Sequence, residues 1–140
     1  MRLGFKLLEH TSDIGILAHG ETREQALIGA SEGLVSILVE SPEAIRNVEE
    51  RHFKASGRDE AEQIVNWLNE LVFYFDTEGL VFWGFSIDSW TSEEIIGRAT
   101  GERFDLYRHE LRTAVKAITY HQFESHPTPT GWEIRVFVDV

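Results

Sequence analysis

A chain of 140 residues with no cysteine is of a size for one domain and long enough to bury most of the surface its unfolded form exposes, so it needs no disulfide to fold; thiolate metal sites, iron–sulfur ligation and cysteine nucleophiles are excluded. Its 24 acidic residues against 13 basic ones give a net charge of −11, which repels phosphate backbones and anionic membranes and makes a cation or a basic protein surface the natural complement. No apolar run approaches the roughly 20 residues that span a bilayer, and the first residues lack the apolar segment of a secretory signal. A soluble, cytoplasmic protein without strong direct nucleic-acid binding is expected, as a single domain over residues 1–140, with its oligomeric state left open.

In chain order, Phe5 to Leu8 is a short apolar run, then come the polar residues His10, Thr11, Ser12 and Asp13, and Ile14 to Ala18 reads as buried strand. Thr22-Arg23-Glu24-Gln25 has the form of a capping box, and Leu27, Ala30, Leu34, Ile37 and Leu38 recur behind it at helical spacing, predicting a helix over 22–40 that stops before Ser41-Pro42. Glu49 to Ser56 is a strand with weak alternation. Asp59-Glu60-Ala61-Glu62 opens a second helix whose stripe of Ala61, Ile64, Leu68, Leu71 and Phe75 runs to Gly79. Phe82 to Trp90 and Glu94 to Thr100 form an antiparallel pair turning at 91–93, and 104–113 reads as a loop with at most one helical turn.

Val115 to Glu124 is rich in β-branched and aromatic residues, 125–131 holds two prolines and reads as a loop, and Trp132 to Val140 alternates. In that last strand Trp132, Ile134, Val136, Val138 and Val140 share one face, leaving Glu133, Arg135, Phe137 and Asp139 on the other. The fold class is α/β: a single domain with a largely antiparallel (mixed) sheet and at least two packed helices. A doubly wound sheet is excluded, because the second half lacks the helices that parallel crossovers require.

Among candidates for chemistry, Asp13 has two readings. It makes an Asx-turn, with Gly15 nearby for backbone freedom, or it is an oxygen ligand for a cation. Asp139 is either a solvated carboxylate or, with the Val140 α-carboxylate, part of a group held in place by the sheet. If the polar turn at Asp13 lies alongside, the three form an oxygen-only anionic pocket, suited to Ca²⁺, with Mg²⁺ as the alternative. Lys116 is a snorkelling surface lysine, or it pairs with these carboxylates or a partner's anion. The six histidines match no zinc pattern: His121 is expected to pack on its strand, and Arg108-His109-Glu110 to form a salt bridge on a loop. Asp59 and Glu62 are accounted for as a helix cap. With no GxSxG, GxxxxGK[ST] or GxGxxG motif, an autonomous enzyme is not expected.

Four segments taken in order, His10-Thr11-Ser12-Asp13-Ile14-Gly15, Trp67-Leu68-Asn69-Glu70-Leu71, Val115-Lys116-Ala117-Ile118-Thr119-Tyr120-His121 and the final Phe137-Val138-Asp139-Val140, resemble the archease family across essentially the whole chain. The resemblance implies a small, non-catalytic α/β protein that assists the RtcB-type RNA ligase of tRNA splicing and RNA repair. It implies promotion of ligase guanylylation and multiple turnover, and a divalent cation, Ca²⁺, bound through Asp13, Asp139 and Val140, with Lys116 also needed for activation. The resemblance also carries an older suggestion, a chaperone or modulator of RNA-modifying enzymes such as a tRNA methyltransferase. Two rivals stand beside it on the residues themselves. One is a metal-dependent hydrolase acting on RNA or nucleotides, for which clustered Arg and Lys to bind phosphate are lacking. The other is a general chaperone that holds clients on an aromatic patch of Trp83, Phe85 and Trp90.

Overall fold

The computed structural model describes residues 4–9 and 12–140; His10 and Thr11 of the polar turn lie outside the described residues. Strand β1 (Phe5–Glu9) pairs antiparallel with β2 (Asp13–Gly20), Phe5 opposite Ala18 and Glu9 opposite Ile14. On the far side of β2 lies β9 (Gly131–Asp139), and beyond it β8 (Ala117–Thr128), giving the sheet order β1-β2-β9-β8. The second strand, β2, and the last, β9, are therefore neighbours in the middle of one sheet. Ile16, Ala18, Ile134, Val136 and Val138 line its inner face and are fully buried, as the alternation requires.

Helix α1 (Arg23–Leu38) packs on that inner face. Its N-terminus is capped as expected: the Thr22 hydroxyl accepts the Gln25 N–H at 3.1 Å, while the Gln25 side chain reaches back to the Glu21 N–H at 2.9 Å. The helix stops at Leu38, short of the expected 40, because Val39–Glu40 peel off as strand β3. Nearly every face of α1 is buried, since the helix touches the first sheet through β2 and β9 and also reaches strand β5 of a second sheet.

That second sheet has the order β4 (Glu49–Ser56), β6 (Glu94–Arg103), β5 (Leu80–Trp90), all antiparallel, with a hairpin at 91–93 closed by the Thr91 N–H on the Glu94 carbonyl at 3.0 Å. Helix α2 (Glu60–Glu78) is capped by Asp59, which accepts the Glu62 N–H at 2.8 Å, and ended by Gly79 at φ +66°, a left-handed conformation that glycine adopts without a Cβ penalty. It packs on β8 of the first sheet and on β4 and β5 of the second. The two helices are tied by a buried hydrogen-bond chain: the Trp67 indole N–H donates to Ser31 Oγ at 3.0 Å, and the Ser31 hydroxyl donates to the Leu27 carbonyl at 2.8 Å.

Every strand pairing among the described residues is antiparallel, so the largely antiparallel α/β fold holds. Three local expectations change. The segment 104–113 carries a turn at 106–108 and the short strand β7 (Glu110–Leu111), which pairs with β3. The loop expected at 125–131 shrinks to a tight turn at 129–130, because β8 continues through Pro127 to Thr128. Proline is tolerated there because β8 is the edge of its sheet. The aromatic patch is not an exposed one: Trp83 is buried, Phe85 and Trp90 pack against the core, and Trp90 donates to Gln63 Oε1 at 2.8 Å while Arg23 lies 3.9 Å over its ring. Among the described residues no helix is long and apolar enough to cross a membrane.

Candidate functional site

The β2–β9 register places Asp13 directly opposite Asp139. Just beyond them the Val140 N–H donates to the Ser12 carbonyl at 3.4 Å, so 12 and 140 form the hydrogen-bonded pair. By the alternation of an antiparallel ladder, Asp13 and Asp139 are then a non-hydrogen-bonded pair, the kind with Cα atoms only about 4.5 Å apart and the closest side chains. Both point away from the inner face that carries Ile14, Ile16, Val136 and Val138. Asp13 is thus the first residue of a paired strand rather than the corner of a free turn, and its carboxylate is half-buried, as is that of Asp139.

Lys116 joins them from the other side of β9. Its backbone N–H donates to the Asp139 carbonyl at 2.8 Å, Ala117 stands opposite Asp139 in the β8–β9 register, and the lysine itself is exposed. Two residues further on, the Ile118 N–H donates to Asn69 Oδ1 of α2 at 3.3 Å, which fixes the start of β8 against the second helix. The main chains of all four residues singled out from the sequence, Asp13, Lys116, Asp139 and Val140, therefore meet at one end of three adjacent strands. Asn69 is a contributor that residue patterns did not reveal; it lies within the quoted Trp67 to Leu71 segment, but nothing local to a helix shows that its amide will receive a strand's N–H.

The groups at this end that could hold a cation are the two aspartate carboxylates and the main chain of Val140, which offer oxygen without nitrogen or sulfur, the ligand type that Ca²⁺ and Mg²⁺ take. Among the described residues, no group of three or more His, Cys, Asp or Glu side chains converges so as to hold a metal ion, so a cation here would rest on the two aspartates with main-chain oxygen.

A second ionic cluster supports the segment that leads to Lys116. Glu102, at the end of β6, is almost fully buried. Burial by itself would raise its carboxyl, but hydrogen bonds from Arg108 Nη1 at 2.7 Å, the Arg46 N–H at 2.9 Å and His109 Nε2 at 2.9 Å hold it at about 2. His109 is buried as well, and its Nδ1 accepts the Asp105 N–H at 2.8 Å, so its ring proton sits on Nε2 and points at Glu102. The salt bridge expected of Arg108-His109-Glu110 is made by Arg108 and His109, and its partner is the buried carboxylate of Glu102 on β6.

Comparison with known proteins identifies the family. Residues 5–140 match the Archease protein family (MTH1598/TM1083). The chain is 37% identical to Protein archease of Saccharolobus solfataricus, covering 97% of this chain and 98% of that one, and 34% identical to Protein archease of Methanosarcina mazei, covering 97% and 95%. Among solved structures it is similar to protein 1598 of Methanobacterium thermoautotrophicum, with a TM-score of 0.79 at 27% identity over 98% of this chain and 99% of that one. It also shares its fold with a Thermotoga maritima archease described as a possible chaperone, with a TM-score of 0.65 at 20% identity and 96% coverage of each chain. With two carboxylates from opposite ends of the sequence paired across one ladder, and a family match running from the first strand to the last residue, this chain belongs to the archease protein family.

Proposed function

We propose that this chain is a non-catalytic activator of an RtcB-type RNA ligase in tRNA splicing and RNA repair, promoting ligase guanylylation and multiple turnover through a divalent cation, Ca²⁺ before Mg²⁺. The observation that supports it is the opposition of Asp13 and Asp139 in a non-hydrogen-bonded pair. Like charges directly across a ladder are destabilising, and a divalent ion shared between the two carboxylates and a Val140 oxygen turns that cost into a binding site. When bound, the ion supplies a fixed positive charge at the rim of the sheet, able to attract phosphate oxygens.

The chain's own residues have simpler tasks. Asp13 and Asp139 hold the ion, and the Ser12 to Val140 bond keeps the end of β9 from fraying. Lys116, exposed and bonded through its main chain to Asp139, presents an ammonium to an anionic group of the partner. The net charge of −11 favours contact with a basic, RNA-handling enzyme while leaving the RNA to that enzyme. The absence of a nucleophile or phosphate-loop motif from the sequence is in keeping with an accessory role.

Ligase turnover measured with substoichiometric ligase tests this. Addition of the wild-type chain is expected to carry the ligase through many rounds, and Asp13→Asn, Asp139→Asn and Lys116→Ala, each with an unchanged circular dichroism spectrum, are expected to lose at least tenfold of that stimulation. Wild-type stimulation by all three would sink the proposal. A second reading is a chaperone or modulator of another RNA-modifying enzyme such as a tRNA methyltransferase; the Thermotoga maritima relative is itself described as a possible chaperone. This second reading predicts protection or stimulation of the methyltransferase in the same variants' presence, with no effect on the ligase. The metal-dependent hydrolase reading predicts cleavage of labelled RNA by the chain alone with Mg²⁺, abolished by Asp13→Asn.

A further inference from the structure

The turn that precedes Lys116 presents two large apolar side chains to water side by side. Leu106 is 83% exposed and Tyr107 99% exposed, and Val48, 68% exposed, lines the same recess of about 560 Å³ at their base. Single exposed apolar residues are ordinary on a surface, but adjacent ones on a rigid projection are not.

The rigidity is visible bond by bond. The Asp105 carbonyl accepts both the Arg108 N–H at 2.9 Å and the His109 N–H at 2.7 Å, and the Asp105 carboxylate accepts the Tyr107 N–H at 2.9 Å. Beneath the turn, Arg108 and His109 are clamped on buried Glu102. A turn wired in this way holds Leu106 and Tyr107 in place before any partner arrives, so that ordering them on binding costs little. Tyrosine is also among the residue types, with tryptophan and arginine, that are enriched at the hot spots of protein interfaces.

The charge distribution selects the partner. At the foot of the turn Arg108 and Arg46 face Glu102, and Arg103 faces Glu49 and Glu78, so the patch is locally balanced inside a molecule of net charge −11. Nucleic acid and anionic membranes are repelled by that net charge, and a second copy carries the same −11 over the remainder of any interface. What remains complementary is a protein of net positive charge with an apolar cleft.

We propose that the Leu106-Tyr107 turn is a docking anchor that inserts into an apolar cleft on a net-basic partner protein; resting on the function proposed above, that partner is the RNA ligase. The anchor lies on the segment between β6 and β8 that also carries Lys116. The anchor governs affinity, whereas Asp13, Asp139 and Lys116 govern what happens once bound.

Leu106→Ser and Tyr107→Ser test the proposal with little risk to folding, because both side chains are outside the core. The measurements are the dissociation constant for the purified RtcB-type ligase and the stimulation of its turnover as a function of added chain. Each variant is expected to weaken binding at least tenfold and to shift half-maximal stimulation by the same factor, with maximal stimulation retained at saturation; Asp13→Asn is expected to bind normally with a reduced maximum. Wild-type binding and stimulation curves from both Ser variants would overturn the anchor and leave the functional proposal standing. If the wild-type chain neither binds nor stimulates the ligase, the functional proposal falls and the anchor's assigned partner with it. Sedimentation of the chain alone completes the test: self-association abolished by Tyr107→Ser would assign the turn to a second copy and overturn the proposal.

Discussion

Phe137 lies against Gly15 across the β2–β9 ladder, so closely that a methyl group built on Gly15 would stand 2.9 Å from the Phe137 ring and 2.9 Å from Leu8 Cβ. The pair is the next non-hydrogen-bonded position after Asp13 and Asp139. The missing side chain of Gly15 makes room for an aromatic ring on the outer face, where Phe137 is 1% exposed and His121 packs edge-on against it at 6.0 Å. The glycine is thus required for space, not for the backbone freedom that its place after a polar turn suggests. Gly15→Ala is expected to cost roughly 1–3 kcal/mol in urea denaturation, the usual penalty of overpacking. The cost of Gly15→Ala combined with Phe137→Leu should fall below the sum of the two, because the smaller side chain yields the space the methyl group needs.

The aspartate pair makes a separate prediction about stability. In a chelating buffer, Asp139→Asn is expected to be as stable as the wild type or more stable by up to about 1 kcal/mol, because it removes a like-charge pair across the ladder. With Ca²⁺ at roughly 100 times its dissociation constant the order reverses, the wild type gaining about 2.7 kcal/mol and the variant much less. Thermal melts with and without the ion read this directly. Equal melting shifts in both proteins would show that the ion acts elsewhere.

Ser31 and Trp67 form the polar link between the two helices, both of them fully buried. Ser31→Ala leaves the indole N–H without its acceptor in the core and should destabilise by about 1–3 kcal/mol. Adding Ser31→Ala to Trp67→Phe should cost much less than adding it to the wild type, since the donor is already gone. A double-mutant cycle in urea measures that coupling.

Glu102 predicts an acid-sensitive contribution with a definite sign. Its carboxyl is held at about 2 in the folded chain against an ordinary 4.5, so the unfolded chain takes up the proton first as pH falls. The stabilisation is fully present above about pH 4.5 and is lost as the pH drops toward 2. Glu102→Gln is expected to be roughly 2–3 kcal/mol less stable than the wild type at neutral pH, because it leaves Arg108 and His109 without their carboxylate. The gap should narrow steadily below pH 4.5 when chemical denaturation is repeated across that range. A gap independent of pH would mean that packing, not charge, carries the effect.

Much of the fold was legible because its signals are local. Both helix starts follow from hydroxyl or carboxylate caps three residues ahead of an N–H they can reach, Gly79 marks the left-handed end of α2, and Glu49–Ser56 has the bounds its alternation suggests. Local pattern misjudges 125–131, since its two prolines read as a loop when nothing local says that the strand holding Pro127 will be an edge. It likewise could not see β3 and β7, two residues each, which exist only because the chain ends of α1 and of the 104–116 segment happen to lie side by side.

For the site, residue identity and pattern determined which groups are available: two carboxylates, one near each end of the chain, a lysine at the start of a β-rich segment, and a last strand with Asp139 on the face away from the core. Whether those groups come together was a question of register, which depends on pairings between residues more than 110 positions apart and is invisible to any local rule. The tertiary structure decided it by placing β2 and β9 as central neighbours in one sheet, so that Asp13 meets Asp139 and Lys116 is bonded to the same residue from the other side. A slip of one residue in that ladder would send one of the two aspartates to the inner face; the buried Ile16, Val136 and Val138 hold the register that keeps both outside.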